Sequence, residues 1–255
     1  MRISLELVPR TVCSLESNLS CAAQFNLIES INIPDLSRFS LRSWEAAAHL
    51  HQLKPALRFI VHIRAQDFAL DQPFALMPVL RSLQIEEILV IAGDTGKTQS
   101  PYQTQTVPFV KKLRQEAPEL KIYTAFDPYR SNIRYELEYL KEKEEAGSCG
   151  FFSQPFFDIR LLELYAEYLE YKTVFWGVAP VLSESSRQYW EARNRAIFPK
   201  KFRADLVWNT QFCHQVMQFC TTGNFHLYLM PIKVDLALYL QSILGKSAFS
   251  LTSED

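Results

Sequence analysis

Met1-Arg2-Ile3-Ser4-Leu5-Glu6-Leu7-Val8 opens the chain with Ile3, Leu5 and Leu7 alternating with Ser4 and Glu6, the period-two pattern of a β-strand with unlike faces. Seven further short runs rich in Val, Ile and aromatic residues follow, at 27–33, 57–63, 87–92, 121–126, 150–156, 174–181 and 225–230. Stretches of helical period fill nearly every interval. Strand and helix in alternation is the signal of βαβ units and a parallel sheet. Eight such units in 255 residues, 48% of them hydrophobic, suit a closed (β/α)8 TIM barrel in one domain, since such barrels take about 250 residues and closure removes both edge strands. An open doubly wound sheet is the alternative. The expected domain covers 1–246, with 247–255 as a frayed tail.

The intervals carry helix-end signals. Ser40 or Ser43 is placed to cap the helix beginning Trp44-Glu45-Ala46, and Asp158 the one beginning Ile159-Arg160-Leu161. Between 131 and 147, Tyr135, Leu137 and Leu140 form an apolar stripe beside Glu136, Glu138, Lys141, Lys143 and Glu145, the pattern of a solvated outer helix. The turn-rich stretch 92–100 follows a strand and so belongs over the active face of a barrel.

Composition narrows the function. Lys and Arg total 27 against 28 Asp and Glu, a net charge of -1, so no broad basic field exists to hold nucleic acid or anionic lipid. A small molecule is the expected partner. Five cysteines form no CxxC pair and leave an odd count, which suits reduced thiols and a cytoplasmic protein. No apolar run approaches the ~20 residues needed to span a bilayer, and the first residues lack the apolar core of a signal peptide.

In a barrel, the C-terminal strand ends build the site. They select Glu6, Pro34-Asp35, His62, Gly93-Asp94, Phe126-Asp127, Gln154, Pro180 and His226. Glu6, set between Leu5 and Leu7, faces the opposite side from both; desolvated there, it gains a raised pKa suited to proton donation, while a plain ion pair at the barrel end is the other reading. Gly93-Asp94 suits either a close backbone approach to a ligand or an ordinary turn. Gln154 sits among aromatic residues, where an amide needs partners. His62 and His226 read equally as core histidines. No His or Cys cluster has metal-ligand spacing, and nucleotide-binding glycine motifs are absent.

As a set, these strand-end motifs resemble the methylenetetrahydrofolate reductase family. Ser4-Leu5-Glu6-Leu7-Val8-Pro9 is similar to that family's opening Ser-Phe-Glu-Phe-Phe-Pro, and Ile91-Ala92-Gly93-Asp94 to its Leu-Arg-Gly-Asp. Leu140-Lys141-Glu142-Lys143-Glu144-Glu145-Ala146-Gly147, followed by Phe152-Ser153-Gln154-Pro155-Phe156-Phe157-Asp158, resembles its most specific stretch. Gly177-Val178-Ala179-Pro180-Val181, Ile197-Phe198-Pro199 and Gly223-Asn224-Phe225-His226-Leu227-Tyr228 are similar to later landmarks in the same order. The resemblance implies a barrel in which NAD(P)H reduces FAD and FAD reduces methylenetetrahydrofolate. It implies Glu6 as the general acid, Asp94 between pterin and flavin, Gln154 on the folate and Trp190 stacked on the ligand. On the flavin side it implies His62, Gly93, Asp94, Phe126, Glu136 and Lys143. Members of that family often form homo-oligomers.

The departures cluster on the flavin side. Ile33-Pro34-Asp35 stands for a Thr-Tyr-Gly, Ala92 for an Arg, and Phe126-Asp127-Pro128-Tyr129-Arg130 for a loop that carried a histidine, with Arg130 or Arg134 as substitute cations. Ser186 stands for a folate-side Gln. Three functions therefore compete: a flavin-dependent reductase, a paralogue that binds folate or another pterin without FAD, and a non-catalytic barrel subunit.

Overall fold

Alternation in the first strand becomes two faces of a wall. Ile3, Leu5 and Leu7 pack outward with Leu15 and Leu19 of the first helix in the larger core cluster, while Ser4 and Glu6 take the other face. The computed structural model describes residues 1–93 and 102–245. Its strands are β1 (Ile3–Glu6), β2 (Ile28–Ile33), β3 (Arg58–Arg64), β4 (Glu87–Ile91), β5 (Lys121–Phe126), β6 (Gly150–Pro155), β7 (Val174–Val178) and β8 (Phe225–Leu229). All neighbours pair in parallel, and β8 pairs with β1 to close the barrel. The helices are α1 (Val12–Ala22), α2 (Ser43–Leu53), α3 (Met77–Ser82), α4 (Thr106–Glu116), α5 (Ile133–Glu145), α6 (Ile159–Tyr168), α7 (Glu184–Asn194), α8 (Leu206–Cys220) and α9 (Leu236–Leu244). The expected (β/α)8 barrel is the fold. No helix among the described residues is long and apolar enough to cross a membrane. The expected tail, 247–255, lies outside the described residues.

Two apolar layers hold the barrel. One lies between strands and helices and contains Leu5, Ile31, Val61, Ile88, Ile122 and Trp176. The other fills the lumen, where Phe152 stacks on Phe175 at 4.1 Å and 5°, and Tyr123 stands edge-on to both. At the N-terminal end, Arg2 meets Glu87 through two hydrogen bonds of 3.1 and 2.8 Å and lies 5.2 Å from the Phe175 ring. These layers close the lower lumen and leave the C-terminal end free for a site.

Two local expectations change and one holds. Arg42, not Ser40 or Ser43, is the N-cap of α2; Glu45 takes its N–H at 2.9 Å, and Ser43 instead donates its hydroxyl to the His62 carbonyl at 2.6 Å. Asp158 does cap α6, accepting from the Arg160 N–H at 3.0 Å. On α5 the inward face is Glu136, Leu140 and Lys143, while Tyr135 is 66% exposed. Glu136 can be buried because Arg130, the Asp127 N–H and the Ser131 hydroxyl all donate to it. Lys143 donates its amine to the Ala125 carbonyl at 2.6 Å and lies 3.9 Å from the Tyr139 ring.

Candidate functional site

A cavity of about 670 Å³ opens at the C-terminal end of the strands, within the usual size range of small-molecule sites. Glu6, His62, Gln154 and Tyr228 are among its polar groups, and Leu89, Ile91, Phe152 and Met230 belong to its apolar wall. Three residues expected from separate strand ends are thus brought together: Glu6 from β1, His62 from β3 and Gln154 from β6. Asp94, the expected fourth, lies outside the described residues.

Glu6 is partly buried, with the Tyr228 phenol donating a hydrogen bond to its Oε2. Burial raises its carboxyl from 4.5 to about 7, against the opposing pull of that hydrogen bond. The pair lets Glu6 exist in both protonation states near neutrality, as a proton donor must. Tyr228 itself is pushed well above 10, by burial first and then by the neighbouring carboxylate, so it remains a donor.

His62 shows the opposite effect, with burial lowering its pKa to about 3 and keeping the ring neutral. Its Nε2 lies 3.2 Å from Asn32 Oδ1, while Asn32 Nδ2 donates to Ser4 Oγ, which also receives the Ser30 hydroxyl at 2.9 Å. Because the amide nitrogen is spent on Ser4, the amide oxygen must accept; Nε2 carries the proton and Nδ1 keeps its lone pair. Gln154 is exposed and its side chain makes no hydrogen bond among the described residues, so its amide is available to a ligand.

Other expected residues lie elsewhere. Trp190 is buried in α7 and meets Phe157 edge-on at 5.3 Å; neither ring lines the cavity, although both belong to the apolar cluster that also supplies Leu89, Phe152 and Met230 to its wall. Phe126 points into the helix layer, 6.0 Å from Trp176 and 5.6 Å from Tyr165. Glu136 and Lys143 lie behind β5, both internally bonded as described above. Gly93 has φ +104°, and a Cβ there would sit 2.3 Å from the Gln66 amide, so its turn has a structural cause. His226, expected near the mouth, accepts the Arg2 N–H at 3.2 Å and belongs to the N-terminal end.

Those positions bear directly on FAD. Among its expected contacts in the described residues, His62 lines the cavity, while Gly93, Phe126, Glu136 and Lys143 do not. After β2, where Ile33-Pro34-Asp35 departs from the pattern of the resembled family, Asp35 is 1% exposed and bound by Arg42 at 2.9 and 2.6 Å, and Arg42 also holds Asp67 at 2.6 Å. Among the described residues, the expected FAD contacts do not come together around this cavity.

Tyr228 and Asn32 are the residues that strand-end reasoning missed. Alternation through Phe225-His226-Leu227-Tyr228 carried the signal for Tyr228, because any register that turns His226 inward turns Tyr228 inward too.

No protein family matches the chain by sequence profile, and no curated protein matches it in sequence. Solved structures share its fold. A Clostridium thermocellum protein that binds two copies of 5-methyl-5,6,7,8-tetrahydrofolic acid superposes with a TM-score of 0.72 at 12% identity, over 98% of this chain and 96% of that one. Oxaloacetate acetylhydrolase bound to 3,3-difluorooxalacetate gives 0.59 at 7%, over 98% and 77%. 2,3-Dimethylmalate lyase, of the PEP mutase/isocitrate lyase superfamily, gives 0.57 at 9%, over 100% and 83%. At these identities the likeness establishes the (β/α)8 barrel and nothing finer.

Proposed function

We propose that this barrel binds a reduced folate or a related pterin in its lumen and presents Glu6 as the proton donor to the bound ring. The observation that carries this reading is the grouping of Glu6 with Tyr228, Gln154 and His62 around one apolar-walled cavity. A flat heterocycle with donors and acceptors on its edge suits such a wall, and its nitrogens suit a protonated carboxyl, an amide and an imidazole lone pair. Protonated Glu6 donates its proton, or a hydrogen bond, to a ring nitrogen; Tyr228 then stabilises the carboxylate left behind. The tetrahydrofolate bound by the Clostridium thermocellum barrel supports the ligand class. Hydride transfer from NAD(P)H through FAD is not part of the proposal, because the expected flavin residues do not converge.

Calorimetric titration with 5-methyltetrahydrofolate, of wild type and Glu6→Gln, tests the proposal. Saturable binding that weakens in the variant is expected. Absence of folate binding, or tight binding of added FAD with appearance of a flavin spectrum, would overturn it.

A further inference from the structure

A chain of buried polar groups runs beneath the cavity and ends at its wall. Ser4 on β1 and Ser30 and Asn32 on β2 are each 0% exposed, and none of them lines the cavity. Asn32 pairs in register with Glu6, and its strand stands between those that carry Glu6 and His62. The Ser4 hydroxyl oxygen receives the Ser30 hydroxyl at 2.9 Å and the Asn32 Nδ2, and donates its own proton to the Ser30 carbonyl at 3.4 Å. Both of its lone pairs are then occupied and its proton is committed. Turning the Asn32 amide over would set its oxygen against that filled oxygen. One orientation is therefore fixed, with Oδ1 toward His62 Nε2 at 3.2 Å. The ring is neutral, and its Nδ1 makes no hydrogen bond among the described residues. The chain thus has a single open end, an acceptor on a ring that lines the cavity.

We propose that Asn32 is a positioning residue that makes the cavity select the oxidation state of its ligand: through His62 it presents an acceptor that only a ring carrying an N–H there can satisfy. The inference rests on the pterin reading of the same cavity and adds which pterin. Glu6 supplies a donor and His62 an acceptor, from β1 and β3 on either side of β2. Strands spaced about 4.8 Å put β1 and β3 roughly 10 Å apart, near the span of one six-membered ring hydrogen-bonded at both ends. In 5-methyltetrahydropterins and 7,8-dihydropterins, N5 offers a lone pair and N8, across the same ring, carries a hydrogen. In a fully oxidised pterin N8 has only a lone pair. It would meet the lone pair of His62 and leave both unpaired out of water.

The test measures dissociation constants of 5-methyltetrahydrofolate, 7,8-dihydrofolate and folic acid, and reads the His62 tautomer from nitrogen NMR of histidine-labelled protein. Wild type is compared with two variants whose folds are checked by circular dichroism. Asn32→Asp places a carboxylate on Nε2–H and so favours a protonated ring with a donor at Nδ1; Ser4→Ala frees the amide to turn. In wild type the hydrogen is expected on Nε2, the two reduced ligands within about threefold of each other, and folic acid at least about tenfold weaker. Both variants should shrink that preference to below about threefold, and Asn32→Asp should raise the pH at which His62 titrates, changes that a residue serving stability alone would not make. A hydrogen on Nδ1 in wild type, folic acid bound as tightly as dihydrofolate, or variants that keep the preference whatever their overall affinity overturns the inference and leaves the pterin reading standing. Should neither variant fold, the wild-type tautomer and ligand order decide. No binding of any of the three ligands overturns the pterin reading and the selectivity with it.

Discussion

Tyr228 at the end of β8 donates its phenolic hydrogen bond to Glu6 at the end of β1, across the seam where those two strands close the barrel. The bond couples the proton donor to barrel closure. It also opposes burial: the apolar lumen raises the Glu6 pKa and the phenol lowers it, leaving about 7.

The first prediction concerns stability. The folded carboxyl titrates at about 7 against 4.5 for the free group, so folding favours its protonated form. The resulting stabilisation is full below about pH 4.5 and is lost as pH rises through about 7, an effect of up to about 3 kcal/mol. Glu6→Gln, which cannot ionise, should therefore gain on wild type as pH rises across that window. Denaturant unfolding at both ends checks this, and parallel curves for the two proteins would contradict it.

Tyr228→Phe removes the interaction that, among the described residues, lowers the Glu6 pKa. The carboxyl of the variant should titrate above the wild-type value, as followed by carbon NMR of labelled glutamate. Ligand binding that needs protonated Glu6 should then persist to higher pH in Tyr228→Phe than in wild type. A titration point at or below about 7 would show that the hydrogen bond has the wrong sign.

His62 should stay neutral from pH 8 to about pH 5, because burial holds its pKa near 3. With the folded value depressed below 6.5, its contribution is present above 6.5 and is lost as pH falls toward about 3, the reverse of Glu6. His62→Gln should remove that part of the acid sensitivity. Imidazole proton shifts that move between pH 7 and about pH 5 would refute the assignment.

How much of this was legible in the sequence depended on whether a cause was local. Glu6 and His62 could be read because period-two alternation puts them opposite apolar neighbours, and all eight strands could be read from short buried runs. His226 was assigned to the wrong end because alternation gives the face of a strand but not its height in the barrel, which the stagger against β1 decides. Trp190 depended on how the loops around Phe157 and Phe198 pack, a contact between distant segments. Glu136 and Lys143 looked solvated because they lie in a run of charges; their burial follows from donors and acceptors on β5 and its loop.

Lys143 offers a test of that hidden network. Burial lowers its amine from 10.5 to about 7, so the unfolded chain binds the extra proton between those values. Its contribution is present above 10.5 and is lost as pH falls toward about 7; wild-type stability should rise between pH 7 and about pH 9. In Lys143→Met that rise should disappear. The same variant should leave folate affinity within about twofold, since the amine faces Ala125 O and not the cavity, whereas phosphate contact by Lys143 would show as a larger loss.

The cavity floor depends on a residue that does not line it. Phe175 is fully buried beneath Phe152, and the Phe152 ring in turn meets Tyr228 edge-on at 5.1 Å and 88°. Phe175→Ala should cost about 3–5 kcal/mol, because the stacked ring and its dispersion contacts are lost and the Arg2 guanidinium below cannot fill the hole. The vacated space lets Phe152 tilt away from Tyr228, which loosens the donor that sets the Glu6 pKa. Ligand affinity should therefore fall along with stability when binding is measured at a temperature where the variant remains folded. Phe175→Leu should recover part of the stability but less of the affinity, since it restores volume without a flat surface for Phe152. If affinity instead follows recovered volume alone, Phe175 supports the site by filling space, and the stacked plane has no part in holding Tyr228 on Glu6.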